Sequence, residues 1–315
     1  MQVTFSAYYT LILAVLVLLL GKFLVNRIRF LRNYNIPEPV AGGLVVAALI
    51  YILHLTMGWS FKFESSLQSA FMLVFFSSIG LSANFAKLRE GGIGLIIFLV
   101  VISLFIIVQN GVGMGIAAAV GLDPLIGIVA GSITLVGGHG TAGAWGPVLE
   151  QEYGLTGATT LGIACATFGL VIGSIMGGPL AKRLVTQYKL AKPRSQSEQT
   201  REDLPPVGDN TEAFAFETNA KAPRLITADA AIETMALFAG CLAFGELMRN
   251  LTAGTSFQLP TFVWCLGGGV IIRNVLDYVF GFKVFDRAID VFGNAALSIY
   301  LAIALLSLKL WELTD

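Results

Sequence analysis

Apolar runs of membrane-spanning length alternate with short polar stretches along most of the chain. A helix crosses a bilayer with about 20 mostly apolar residues. Eight runs qualify: 5–25, 38–58, 68–86, 92–121, 158–180, 228–248, 258–277 and 288–309. A further apolar stretch, 125–150, is glycine-rich and interrupted, so no continuous span is expected there. The first run follows no basic residue between Met1 and Tyr9, and so reads as a span and not as a cleaved signal. Only 192–224 is polar and proline-bearing, and it cannot bury enough apolar surface to pack. It is expected to be a flexible cytoplasmic linker.

Composition sharpens this picture. Hydrophobic residues make up 56% of the chain and charged ones 13%, whereas soluble chains run near about 25% charged. The fold class expected is an all-α polytopic membrane protein. Twenty basic and twenty acidic residues cancel, so no basic surface invites nucleic acid. Cys165, Cys241 and Cys265 lie in apolar runs without a CxxC spacing and read as small hydrophobes in lipid or at helix contacts.

Basic residues orient the spans, because they collect on the cytoplasmic side. If the segments after the first, third, fifth and seventh spans share one side, that side holds 17 basic residues and the other holds Lys62, Arg249 and Lys309. The division requires 125–150 to enter and leave on the same side, as a re-entrant hairpin. Both termini are then expected outside.

The chain also matches itself at an offset of 223–225. LLLGKFLVN faces LAFGELMRN, matching Gly21 to Gly245 and Asn26 to Asn250. Pro37 then matches Pro260, and Ser82 matches Ser307. A first unit with five spans and a hairpin puts the second unit upside down, an inverted repeat of the kind many secondary transporters use. The domains expected are a first repeat at 1–181, a linker at 182–227 and an incomplete second repeat at 228–315. Counterparts of 92–180 would fall at about 316–404, past Asp315, so the fourth span, hairpin and fifth span of the second unit are expected to be missing.

Candidate chemistry concentrates in 131–147, GSITLVGGHGTAGAWGP. Irregular backbone at membrane depth is tolerated only inside protein or beside a wet cavity. In this run, which holds Gly137, Gly138 and Gly140, amides at a half-helix N-terminus suit a carboxylate, while unwound carbonyls and the hydroxyls of Ser132, Thr134 and Thr141 suit a small cation. The bland alternative is that these glycines only allow close helix packing. His139 can carry a proton or, the preferred reading, orient through a hydrogen bond. Gln109 and Asn110, inside the fourth span, are either functional or interhelical hydrogen bonders. Asn84, Ser77 and Ser78 are candidates to line a pathway. Glu38, between Pro37 and Pro39, is expected to cap the second span; His54 reads as interfacial or packed. Cys165 and Thr167 read as packing, and Arg273 is placed at a cytoplasmic helix end.

Enzyme readings are thin: no HExxH, GxSxG, intramembrane aspartate pair or Walker loop is present. Taken together, IPEPVAGGL, SSIGLSANF, LDPLIGIVAGSITLVGGHGTAGAW, ACATFGLVIG and LPTFV resemble the bacterial sodium/glutamate symporter family. The similarity covers all but the polar linker, and GGHGT is its most specific piece. The resemblance implies Na+-driven uptake of L-glutamate across the cytoplasmic (inner) membrane, with Na+ as coupling ion and no organic cofactor. It further implies two inverted five-helix repeats with re-entrant hairpins, a homodimer and an elevator-like alternation. The family's hairpin motif falls on Gly137, Gly138, His139, Gly140 and Thr141, with Ser132 and Thr134 beside it. The family's second glycine-rich hairpin is not in the sequence, so a truncated, impaired form or one needing a partner chain is expected. Two other classes compete. A non-transporting subunit or regulatory partner would dimerise with full-length relatives, and a channel is disfavoured by the lack of a row of carboxylates.

Overall fold

The computed structural model describes residues 2–33, 36–188, 226–255 and 259–308. The 192–224 stretch and the end of the eighth predicted span lie outside the described residues. In chain order the elements are β1 (Gln2–Thr4), α1 (Ala7–Arg27), α2 (Arg29–Asn33), α3 (Glu38–Met57), β2 (Ser60–Lys62), α4 (Ser66–Ser82), α5 (Phe85–Glu90) and α6 (Gly92–Ala119). Then come α7 (Pro124–Ile128), which runs into a π-helical turn Val129–Ile133, α8 (Gly138–Glu152), α9 (Ala158–Gln187), α10 (Ala228–Thr252), α11 (Thr261–Val279) and α12 (Asp286–Leu306).

Among the described residues, α1, α3, α6, α10, α11 and α12 are six helices long and apolar enough to cross a bilayer. The chain is a multi-pass membrane protein, and its described elements are helices apart from one small sheet. The other two predicted spans depart from expectation. Helix α4 has 17 residues and stops at Ser82, short of 86. Helix α9 has 30 residues and continues to Gln187, beyond the expected linker start at 182.

Local chemistry explains several boundaries. Proline lacks an N–H and suits a first helical turn, and α3 opens on Pro37, Glu38 and Pro39. Glu38 lies in that first turn, where its charge meets the positive helix end. Its side chain is nevertheless not the cap, because Pro37 holds that position and no side-chain cap bond forms. The helix closes at Gly58 (φ 64°), whose N–H reaches His54 O. The His54 Nδ1 bonds Trp59 O at 3.0 Å, pinning the turn that follows.

That turn leads into β2, which pairs in parallel with β1, Gln2 opposite Ser60 and Thr4 opposite Lys62. Phe5 stacks on Phe63 with centroids 5.3 Å apart. The pairing was not anticipated, because three-residue strands leave no periodic signal. It sets the N-terminus and the α3–α4 connection at one end of the molecule.

Six helices, α1, α3, α4, α10, α11 and α12, form one bundle. Helices in lipid gain little from the hydrophobic effect and associate by close packing of small residues. Gly21 of α1 lies against the backbone of Glu38 and Gly42 on α3, and Gly245 of α10 lies against Cys265 on α11. Gly80 of α4 meets the backbone of Leu266 and Gly269 on α11, and Gly43 of α3 meets Leu305 on α12. The centre of the bundle is α12, where every residue from Tyr300 to Leu306 is buried. Cys241 and Cys265 are fully buried at these contacts. Ser77 and Ser78 donate to Leu73 O and Phe75 O, and Ser78 fills the notch at Gly293. These two serines sit at helix contacts inside the bundle.

Helices α6 to α9 make a second group. α6 lies against α7 with Gly113 and Gly127 backbone to backbone. α8 and α9 carry this group onto the bundle, where Ala142 and Ile163 share a core with Val40, Ala41 and Leu305.

Candidate functional site

The predicted irregular segment is a broken helix. α7 and its π-helical turn form a first arm, which loses helical geometry at Gly131 (φ −94°, ψ −117°). α8 forms the second arm and starts at Gly138, which has φ +73°. Only glycine takes that left-handed geometry without strain. The arms meet at both ends. Near the break, the Thr141 hydroxyl donates to Ile133 O at 2.6 Å. Farther along, Val129, Leu149 and Leu155 share a core with Leu125 and Ile126.

At the break the first arm presents carbonyls and the second presents first-turn amides, the negative and positive ends of two helix dipoles. Thr134 is buried and donates to Val129 O at 2.8 Å. A methyl group at Gly137 would fall on the Thr141 side chain. Beside the break lies a cavity of about 350 Å³ lined by Thr134, Gly137, Gly138, His139, Ala166 and Gly169, among others. That volume is within the usual range for small-ligand pockets, roughly 300–1,000 Å³. Its lining residues carry no carboxylate, lysine or arginine.

His139 is buried, and its Nε2 lies 3.0 Å from the Thr167 hydroxyl. That hydroxyl donates to Ile163 O at 2.9 Å. With its one proton so committed it accepts from Nε2–H, which leaves Nδ1 as the acceptor of the neutral ring. Thr167 is therefore a partner of His139 and more than packing. Its place in an apolar span hid this, since only α9 lying against α8 reveals the pair.

Gln109 and Asn110 of α6 come to the same segment from its other side. Asn110 Oδ1 accepts from Ser132 N–H at 3.4 Å, and both side chains face Gly131. The structure thus gathers Gln109, Asn110, Ser132, Thr134, Gly137, Gly138, His139, Gly140 and Thr141 around one break. It does not bring Asn84 there. Asn84 caps α5 through Ala86 N–H and donates to Asp277 at 2.7 Å.

Sequence reasoning also missed two features. Tyr300, fully buried on α12, donates its hydroxyl to Gly140 O at 3.2 Å and so ties the second arm to the bundle. Trp145 meets Phe262 edge to face at 5.6 Å beside it. A lone tyrosine in a long apolar run gives no warning of such a contact.

Comparison with known proteins follows from these motifs. The profile of a family described as sodium/glutamate symporter matches residues 3–315. The chain is 51% identical over 313 residues to a protein named sodium/glutamate symporter from Haemophilus influenzae, covering 99% of this chain and 75% of that one. It is 48% identical over 308 residues to a protein of the same name from Escherichia coli, covering 97% of this chain and 73% of that one. No solved structure matches the chain.

Proposed function

This chain belongs to the sodium/glutamate symporter family, and from that premise we propose that the break between α7 and α8 is where it handles its substrate. The function is sodium-coupled transport of glutamate; the chain is a transporter and not an enzyme. Na+ is the coupling ion, and no organic cofactor is involved.

The single observation that carries the site is the cavity at the break, with a buried histidine held over it. First-turn amides of α8 at Gly138, His139 and Gly140 offer N–H groups to a substrate carboxylate, helped by the positive helix end. The uncharged lining lets those dipoles act without a competing countercharge. Thr167 holds the His139 ring, so Nδ1 presents a fixed acceptor. Ser132, Thr134 and Thr141 lie with the unwound carbonyls, the oxygen environment that suits Na+.

We also read the two arms as a re-entrant hairpin, supported by their contacts at tip and base. An inverted repeat is supported by packing. Under the offset of 223–225, the Gly21–Gly42 approach becomes Gly245–Cys265, and Gly80–Leu266 becomes Leu305–Gly43. Each unit's third long helix thereby packs on the other unit's second. A homodimer in the cytoplasmic (inner) membrane, with an elevator-like movement, follows from the family resemblance. A non-transporting partner has no observation in its favour.

The test is uptake of labelled glutamate into proteoliposomes holding this chain, with and without an inward Na+ gradient at constant pH. Uptake that needs Na+ and falls at least about tenfold in His139→Ala is expected. Na+-dependent uptake untouched in that variant would sink the site, and uptake indifferent to Na+ would sink the coupling.

A further inference from the structure

Helix α6 presents apolar residues to its surroundings along nearly all its length, yet it carries two adjacent amides, Gln109 and Asn110, well inside the helix. Their partners are unequal. Asn110 Oδ1 takes the amide of Ser132. Gln109 Oε1 is buried and accepts no hydrogen bond. An acceptor without a partner inside a membrane protein is costly, and a site for an ion or a water is one physical reason for it.

The surroundings say what would fit. Gly113, one turn along α6, lies backbone to backbone on Gly127, which brings Gln109 and Asn110 against Gly131. Gly131 is where the first arm loses helical geometry, and the carbonyls of Val129 and Ile133 in this turn accept from the hydroxyls of Thr134 and Thr141. The side chains that α6 brings to the break, Gln109 and Asn110, are neutral. Among the described residues no group of three or more His, Cys, Asp or Glu side chains could hold a metal, so a divalent or transition ion finds no suitable ligands here. Neutral oxygens beside a helix break suit a singly charged cation.

We infer that the α6 side of the break is a site for a monovalent cation in which Gln109 Oε1 is a ligand and Asn110, through Ser132 N–H, holds the break against α6. The inference rests on the transport reading above for the identity of the cation, which is either free Na+ or the ammonium group of the amino-acid substrate.

The experiment is calorimetric titration of the purified full chain and its Gln109→Leu and Gln109→Glu variants. NaCl is titrated first in a potassium background without glutamate, then glutamate at saturating Na+. A loss of Na+ affinity of about tenfold or more in Gln109→Leu, kept in Gln109→Glu, identifies the cation as Na+. Unchanged Na+ binding with a similar loss of glutamate affinity in Gln109→Leu identifies it as the substrate ammonium. Both affinities unchanged in a Gln109→Leu protein that elutes like the parent overturns the site. Equal losses in both variants overturn the role of the oxygen. A parent chain that binds Na+ but takes up no glutamate defeats the transport reading and leaves the cation site standing.

Discussion

With its proton committed to Ile163 O, the Thr167 hydroxyl offers His139 only a lone pair, and that is enough to set the ring. Thr167→Val removes the acceptor and leaves a buried N–H unpaired, at a cost of about 1–3 kcal/mol. Glutamate affinity should fall about tenfold, and Thr167→Ser, which keeps the hydroxyl, should restore it. Uptake kinetics of the three proteins check this, and an equal loss in the serine variant would defeat the assignment. Tyr300 gives a second test at this scale. A methyl at Gly143 would strike its hydroxyl, so Gly143→Ala should destabilise the protein by about 1–3 kcal/mol. Adding Tyr300→Phe should recover much of that, read as Tm in detergent. No recovery would mean that the clash is not what limits the site.

At the level of elements, the early end of α4 has a definite cause. Its last carbonyls are taken by α11: Arg273 Nη1 reaches Leu81 O at 3.3 Å, and Asn274 Nδ2 reaches Ala83 O at 2.9 Å. Asn274 Oδ1 then accepts Phe85 N–H at 2.9 Å, which starts α5. Arg273 is buried and also pairs with Asp277 at 3.3 Å and with Asp286 at 2.5 Å, at the first turn of α12. One arginine thereby joins the ends of α4 and α11 to the start of α12. Arg273→Met should cost about 2–4 kcal/mol, moderated by the partial exposure of Asp286. The cost is checked by denaturation in micelles, and a stability change within about 0.5 kcal/mol would refute the network's role. The apolar run alone located helix α4 but overshot its end, because the residues that stop it lie nearly 200 positions away.

Across the whole molecule, two of the four segments expected on one side, those after the third and seventh predicted spans, lie together. The α4–α5 connection, the end of α11 and the start of α12 meet around Arg273, while β1 pairs with β2 at the start of α1 and α4. The proposed orientation puts the first group inside and the sheet outside. In a chain with Cys165, Cys241 and Cys265 replaced, Lys62→Cys should react with an impermeant thiol reagent in intact cells, and Lys283→Cys only after permeabilisation. The reverse pattern would invert the topology. The sequence by itself determined the membrane class, most spans and the location of the broken segment, because spanning length and glycine content are properties of contiguous residues, and its motifs, GGHGT above all, carried the family. It also flagged Gln109, Asn110 and His139 as costly polar groups in apolar surroundings. Only the tertiary structure decided what those groups touch: Thr167 for His139, Ser132 for Asn110, Tyr300 for Gly140, and Asp277 in place of the cavity for Asn84. Such partners come from different helices, and in lipid their meeting depends on how closely small residues such as Gly113, Gly127 and Gly143 let those helices approach.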